Sequence, residues 1–239
     1  MRLSLPRSKK SRLATAGVAA LVVVVPTAVV VAQPAASTST ASVSASVPAA
    51  RTAAVADPAK LLTTADLGPG WTELSTDQLQ GAAANLRGKV SGVSVSPRRC
   101  VRGMSIPAGY RGEVHRVFKL GSAMYGPYLA TAIAVFASPK AAKKALNQGV
   151  ARARGCQLVQ ITANIGSVSA QVSDLRTARL GDQRVGYQID ATVMGFVPVQ
   201  GQIIVVRKGN AIVAVAQGGI GVDTAASTKS AAAIAASRL

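Results

Sequence analysis

The stretch 184-RVGYQIDATV-193 decides the architecture of this chain. Val185, Tyr187, Ile189, Ala191 and Val193 alternate with Arg184, Gly186, Gln188, Asp190 and Thr192. Side chains of a β-strand point to opposite faces with a period of two, so one row faces a core and the other faces water. A strand with one wet face belongs to an antiparallel sheet, because parallel sheets are covered on both sides.

The same pattern recurs on either side. Gln202 to Arg207 and Ala211 to Gln217 flank Lys208-Gly209-Asn210, whose Gly and Asn tolerate positive φ, and predict a hairpin. Upstream, Gln157 to Ile165 and Ser167 to Leu175 read as strands meeting at Gly166. Glu113 to Leu120 and Tyr128 to Ala137 read as another pair, separated by Gly121, Gly126 and Pro127. Between these pairs Ser138 caps, and Pro139 begins, a helix to about Arg154. Ala142, Ala145, Leu146 and Ala153 form its apolar face, leaving Lys140, Lys143, Lys144, Arg152 and Arg154 outside.

Asp57-Pro58 opens a short helix through Leu62, with Asp57 as N-cap. Thr63 to Leu67 forms a second cap-like turn that ends at Gly68-Pro69-Gly70. Trp71, the only tryptophan, then pins that turn to the body of the domain. Gly81 to Gly112 shows little periodicity and reads as a long irregular loop. Near the end, Gly218-Gly219-Ile220-Gly221 reads as a turn before a helix start, and Asp223-Thr224 caps an alanine-rich helix from Ala225 to Arg238. The expectation is an α+β domain over residues 57–239, an antiparallel sheet of five to seven strands packed with two or three helices. With 49 % apolar but only 3 % aromatic residues, its core must be built from Ala, Val, Ile and Leu.

Ahead of this domain, Leu13 to Ala32 is a run of twenty residues without a charge, directly behind Arg2, Arg7, Lys9, Lys10 and Arg12. A cationic leader before an apolar run is the layout of a signal peptide or an N-terminal membrane anchor, so residues 1–32 are expected to export the rest of the chain. The length suits an anchor, while Pro26 and the small residues up to Ala32 suit cleavage; both fates stay open. No cysteine comes after the run in the linker, so a lipoprotein anchor is not expected. Residues 33–56, nearly all Ala, Ser, Thr, Val and Pro, cannot bury enough apolar area to offset ordering and read as a disordered linker.

The formal charge is +18, and +13 remains once the five leader cations are set aside. Such a field attracts polyanions. Outside the cytoplasm these are anionic wall polymers or lipid head groups, and nucleic acid is excluded. Arg87, Lys89, Arg98, Arg99, Arg102, Arg111, Arg116 and Lys119, with Glu113 as the only acid among them, form the candidate anion-binding stretch.

An exported chain with two cysteines is expected to oxidise them. A Cys100–Cys156 bridge would close a loop of roughly 57 residues, worth about 4 kcal/mol in the chain-entropy model. Two cysteines and the single His115 cannot fill a closed metal site, so neither metal nor cofactor is expected. No catalytic residue is assigned. The hydrolase alternative would use His115 as base with Glu113 beside it, but no G-x-S-x-G nucleophile elbow occurs. The acids are too few and too scattered for paired-carboxylate glycoside chemistry.

Several short motifs together carry a resemblance: Leu61 to Trp71 (LLTTADLGPGW), Cys100, Ala134 to Pro139 (AVFASP) opening a helix that stops at Cys156, Gly181-Asp182-Gln183, and Val206 to Asn210 (VRKGN). Over residues 57 to 239 the chain resembles exported actinobacterial sensor-domain proteins, the PknH-like extracellular domain family. The resemblance implies a non-catalytic α+β domain that binds a small-molecule or envelope ligand, with no catalytic residues to carry over. One cysteine pair stands where the kinase's sensor would have two, and residues 1–12 carry only the basic leader, so a kinase output is not expected. Three functions are weighed in order: an extracytoplasmic sensor-like binding domain, a wall-associated hydrolase using His115, and electrostatic adhesion to anionic polymer or lipid.

Overall fold

The computed structural model describes residues 56–239 except 90, 101–105, 122–125, 165 and 222–223, and at 83–89 the backbone alone. The expected leader and nearly all of the linker lie outside the described residues. Nine strands form one antiparallel sheet: β1 (Trp71–Glu73), β2 (Ser94–Ser96), β3 (Tyr110–Leu120), β4 (Tyr128–Phe136), β5 (Leu158–Ala163), β6 (Gly166–Asp174), β7 (Gln183–Val193), β8 (Val197–Lys208) and β9 (Ala211–Ile220). Their order is β1-β3-β4-β9-β8-β7-β6-β5-β2. The helices are α1 (Thr64–Leu67), α2 (Thr76–Lys89), α3 (Pro139–Arg154) and α4 (Ala225–Ser237). Strands β5 to β9 form a meander. α3 carries the chain from β4, beside β9, back across that meander to β5.

Seven strands are those read from alternation, so the expected five to seven is too low by the two edges, β1 and β2. Each is three residues long, too short to display a period, and its membership is set by pairing such as Trp71 with Leu120 and Ser94 with Thr162. Short edges of this kind limit the unpaired backbone a sheet presents. The expected irregular loop from Gly81 begins inside α2. That helix starts with a reciprocal cap, in which Gln78 N–H donates to Ser75 Oγ at 3.2 Å and Ser75 N–H donates to Gln78 Oε1 at 2.8 Å. Gly218-Gly219-Ile220 is strand rather than turn, continuing β9 up to Gly221, where φ is +64°.

The caps at Asp57 and Ser138 form as expected, accepting from Ala59 N–H and Ala141 N–H respectively. Of the expected Asp223-Thr224 cap, Asp223 lies outside the described residues, and the Thr224 side chain does not cap α4, its buried hydroxyl having no partner among the described residues. Thr228 turns back instead and donates to Thr224 O at 2.7 Å.

Each face of the sheet receives one long helix. On one face the alanines Ala231, Ala232, Ala235 and Ala236 of α4 let the helix lie close on Ile204, Val206, Val213 and Val215, with Leu61, Leu62, Phe118, Leu129 and Ile133 completing the core. Leu61 and Leu62 are almost wholly buried, which stabilises by about 1.5–3 kcal/mol per side chain. On the other face, Ala142 and Leu146 of α3 pack on Ala134, Phe136 and Ile212. Val213 against Ile212 and Val135 against Ala134 show the strand alternation that divides the two cores.

Two polar knots close the fold. Arg207, buried on β8, donates to Asp182 Oδ2 at 2.9 Å and to Gly209 O at 3.0 Å, while Gly209 N–H donates to the same Asp182 oxygen at 2.8 Å. Asn210 Nδ2 continues the knot to Phe136 O at 2.9 Å. At the far end Arg238 donates to Asp66 and to Leu61 O, joining α4 to the segment that precedes β1.

Gly181 lies in the left-handed region at φ +58°, and a Cβ there would sit 2.5 Å from Arg207 O and 2.7 Å from Val206 Cγ1. Gly209 has a similar φ of +61° but open space around it. Gly181→Ala is therefore expected to cost about 3 kcal/mol or more and Gly209→Ala about 1 kcal/mol in urea unfolding, because only the former adds a backbone clash to the conformational cost.

Burial raises the Asp66 carboxyl, but hydrogen bonds from the Thr63 side chain and backbone, together with the Arg238 guanidinium, more than reverse this and hold it below its usual value. A depressed folded pKa contributes stability above the unfolded value of about 4 and loses it as pH falls through the folded value. Asp66→Asn should lower stability at neutral pH and flatten its decline in acid, as read by denaturation midpoints from pH 7 downward.

Candidate functional site

α4 covers its face of the sheet only over β8 and β9 and their neighbours. Farther along the same face, β5 to β8 form an open concavity of about 310 Å³. Its lining comes from register: Leu158 pairs with Gln171, Gln171 with Asp190, Asp190 with Gln200, and one step along, Ser169 with Thr192 and Thr192 with Pro198. Paired residues share a face, so these side chains stand together on the α4 side. They supply one carboxylate, two amides and two hydroxyls, bordered by Pro198 and by Leu158, which is 64 % exposed. None of the lining residues is a lysine or arginine.

A row of amides links the concavity to the core under α4. Gln188 Nε2 donates to Asp190 Oδ1 at 3.3 Å, and Gln202 Nε2 donates to Gln188 Oε1 at 2.8 Å. On β9, paired with Gln202, Gln217 Oε1 accepts from Ser227 and Thr228 of α4. Gln202 is buried, and its Oε1 has no hydrogen-bond partner among the described residues. Sequence alone assigns no role to these polar residues, although the wet row of β7 (Gln188, Asp190, Thr192) is visible in it. Strand register, which alternation does not reveal, is what gathers Gln171 and Gln200 beside them.

The candidate anion-binding residues are dispersed. Arg87 and Lys89 lie on the backbone of α2, and Arg102 lies outside the described residues. Arg116 serves the fold, with its Nε 3.4 Å from Glu73 and an NH1 donating to Leu62 O at 3.2 Å. Arg111 and Lys119 occupy opposite ends of β3. Arg98 and Arg99 are exposed in a single turn after β2, and Arg99 Nε donates to Gly155 O at 3.0 Å, just past the end of α3. That placement comes from the Cys100–Cys156 disulfide, whose Cα atoms are 5.7 Å apart. The expected bridge is present and leaves no free thiol.

His115 is exposed on β3. Burial raises the Glu113 carboxyl, opposed by the nearby His115 charge and a hydrogen bond from Tyr110. Burial, followed by the Glu113 charge, pushes the Tyr110 hydroxyl up to about 12. Among the described residues there is no free thiol for His115 to activate, and no cluster of three His, Cys, Asp or Glu side chains could hold a metal.

No family model matches the chain, and no curated protein matches it in sequence. Solved structures do match. In fold the chain is similar to the extracellular domain of PknH from Mycobacterium tuberculosis. The TM-score is 0.53 at 16 % identity, covering 75 % of this chain and 93 % of the PknH domain. A putative uncharacterized protein from Mycobacterium smegmatis, the Rv0999 ortholog, aligns with a TM-score of 0.37 at 16 % identity over 72 % of this chain and 91 % of that one. The PknH-like resemblance expected from short motifs is thus present in the fold. The motifs behind it prove to be fasteners: Gly181-Asp182 and Val206 to Asn210 form one knot with Phe136, and Leu61 to Asp66 forms the other with Arg238. None of them lines the concavity.

Removing the bridge by Cys100→Ser with Cys156→Ser should lower unfolding stability by up to about 4 kcal/mol, the loop-closure value for a separation of 56 residues. Thiol titration of the unreduced, unfolded chain should find no free cysteine.

Proposed function

We propose that the chain is an exported, non-catalytic, sensor-like binding domain whose ligand is a neutral, hydrogen-bonding molecule seated on the open face of β5 to β8. The observation that carries this reading is a lining of Asp190, Gln171, Gln200, Ser169 and Thr192 without a single cation, in a chain of net charge +18. Amides and hydroxyls placed on rigid strands offer paired donors and acceptors, and Leu158 and Pro198 supply apolar contact at the rim. That combination suits sugars or uncharged peptides and disfavours free anions. The disulfide and the apolar run at Leu13 to Ala32 support an extracytoplasmic setting, as does a fold shared with an extracellular domain. Among the described residues no helix is long and apolar enough to cross a membrane, so tethering would fall to that run.

Neutral oligosaccharides such as chitotetraose, and uncharged tetrapeptides, are the probes for thermal-shift titration of the full chain. A ligand at a hundredfold excess over its Kd stabilises by about 2.7 kcal/mol, a rise of a few degrees. Gln171→Leu with Gln200→Leu is expected to abolish the rise while leaving the unliganded melting temperature nearly unchanged. A rise that survives the double substitution, or none with either probe class, overturns the site. Cleavage of the probe that His115→Ala prevents would transfer the reading to a hydrolase.

A further inference from the structure

The second helix face carries charge of which the fold uses little, Arg154 acting on Tyr187. On α3, Lys140, Lys143, Lys144 and Arg154 are exposed, and helical spacing puts them within an arc of about 100° centred roughly 130° from the buried Ala142 and Leu146. There is no acidic residue in the helix. Lys140 stands in the first turn, where the backbone dipole disfavours positive charge, and it repels Lys143 and Lys144 at the i,i+3 and i,i+4 spacings. For local stability this helix calls for acids at these positions. The disulfide then adds Arg98 and Arg99 beyond the C-terminal end, extending the row past the roughly 21 Å between Lys140 and Arg154.

We propose that this ridge docks the domain on a membrane surface through anionic lipid head groups. A straight, convex helix presents its cations to a plane, whereas a flexible polyanion chain is better held in a groove. A second copy of this chain offers no acidic row to match the ridge: Asp66, Glu73 and Asp182 are each engaged with an arginine, and the exposed Asp57, Asp77, Asp174 and Asp190 are scattered over separate elements. Because α3 lies on the sheet face opposite α4, docking leaves the concavity of β5 to β8 turned away from the membrane and open. The inference concerns a different surface from the ligand site and stands or falls apart from it.

The test is co-sedimentation of the full chain with vesicles of phosphatidylcholine alone or with about one third phosphatidylglycerol, at low salt and at 0.5 M salt. Any insertion of residues 13–32 is common to all proteins compared. Electrostatic attraction of about 1 kcal/mol per cation near the surface predicts at least tenfold tighter binding to the anionic vesicles, lost at high salt. Lys140→Glu, Lys143→Glu and Lys144→Glu together should remove that preference. The charge-matched control Arg176→Glu, Arg179→Glu and Lys229→Glu, at exposed positions off the ridge, should keep most of it. Equal loss in both triple variants would reduce the effect to net charge and overturn the proposal, as would no loss in the first. Soluble polyglutamate binding as tightly as the vesicles would assign the ridge to a polymer and overturn the membrane reading. Melting curves of both variants identify a folding failure, and in that case the single Lys143→Glu variant decides, with at least a threefold loss of preference expected.

Discussion

A guanidinium that is about nine-tenths buried in a sheet must be neutralised, and Arg207 imposes that requirement on the centre of this domain. Asp182 satisfies it, and the same carboxylate oxygen fixes the β8–β9 turn through Gly209 N–H. The turn then delivers Asn210 to Phe136, at the end of β4 just before α3 begins. One charge thus sets the entry to β7, the hairpin that bears α4, and the point where the chain leaves for its crossover. Gly181 is held by the same constraint, since no side chain fits where its backbone passes Arg207.

Around that centre the two faces of the sheet have opposite chemistry. On one face the alanine-rich α4 packs closely, and beyond it the sheet presents glutamines, hydroxyls and one aspartate. The opposite face carries α3, with its lysines outward and its alanines inward. A strongly cationic chain therefore keeps this concavity free of lysine and arginine by placing much of its positive charge elsewhere, some of it on α3. Three of its nine acids are paired with arginines, and Asp190 is left at the concavity beside an amide.

The long elements are legible in the sequence because their signals are local. Alternation locates the seven longer strands, and Ser138-Pro139 with Gly155 bounds α3. The three-residue edges β1 and β2 are not legible, because hydrogen bonds from β3 and β5 define them rather than any period of their own. α2 is obscured by Gly81 and Gly88, although the Ser75–Gln78 capping pair is present to mark its start. The disulfide can be read from parity and compartment. The residues of the basic stretch that the structure describes are distributed among α2, a turn and β3, where Arg116 turns inward to Leu62. The concavity depends on the register of four strands and cannot be drawn from any one of them.

The disulfide also has a bearing on the exposed edge of the sheet. β2 shields β5 through only three residue pairs, and the turn after it is held by Cys100. With the thiols reduced, this short cover would be held by its three pairs, the Ser91–Asn164 hydrogen bonds and the Arg99 contact to Gly155 O, and β5 would more readily present its backbone to other chains. Oxidation therefore acts as an edge guard. A copy retained in a reducing compartment would be prone to self-association through β5, so the chain is best protected where its cysteines can pair.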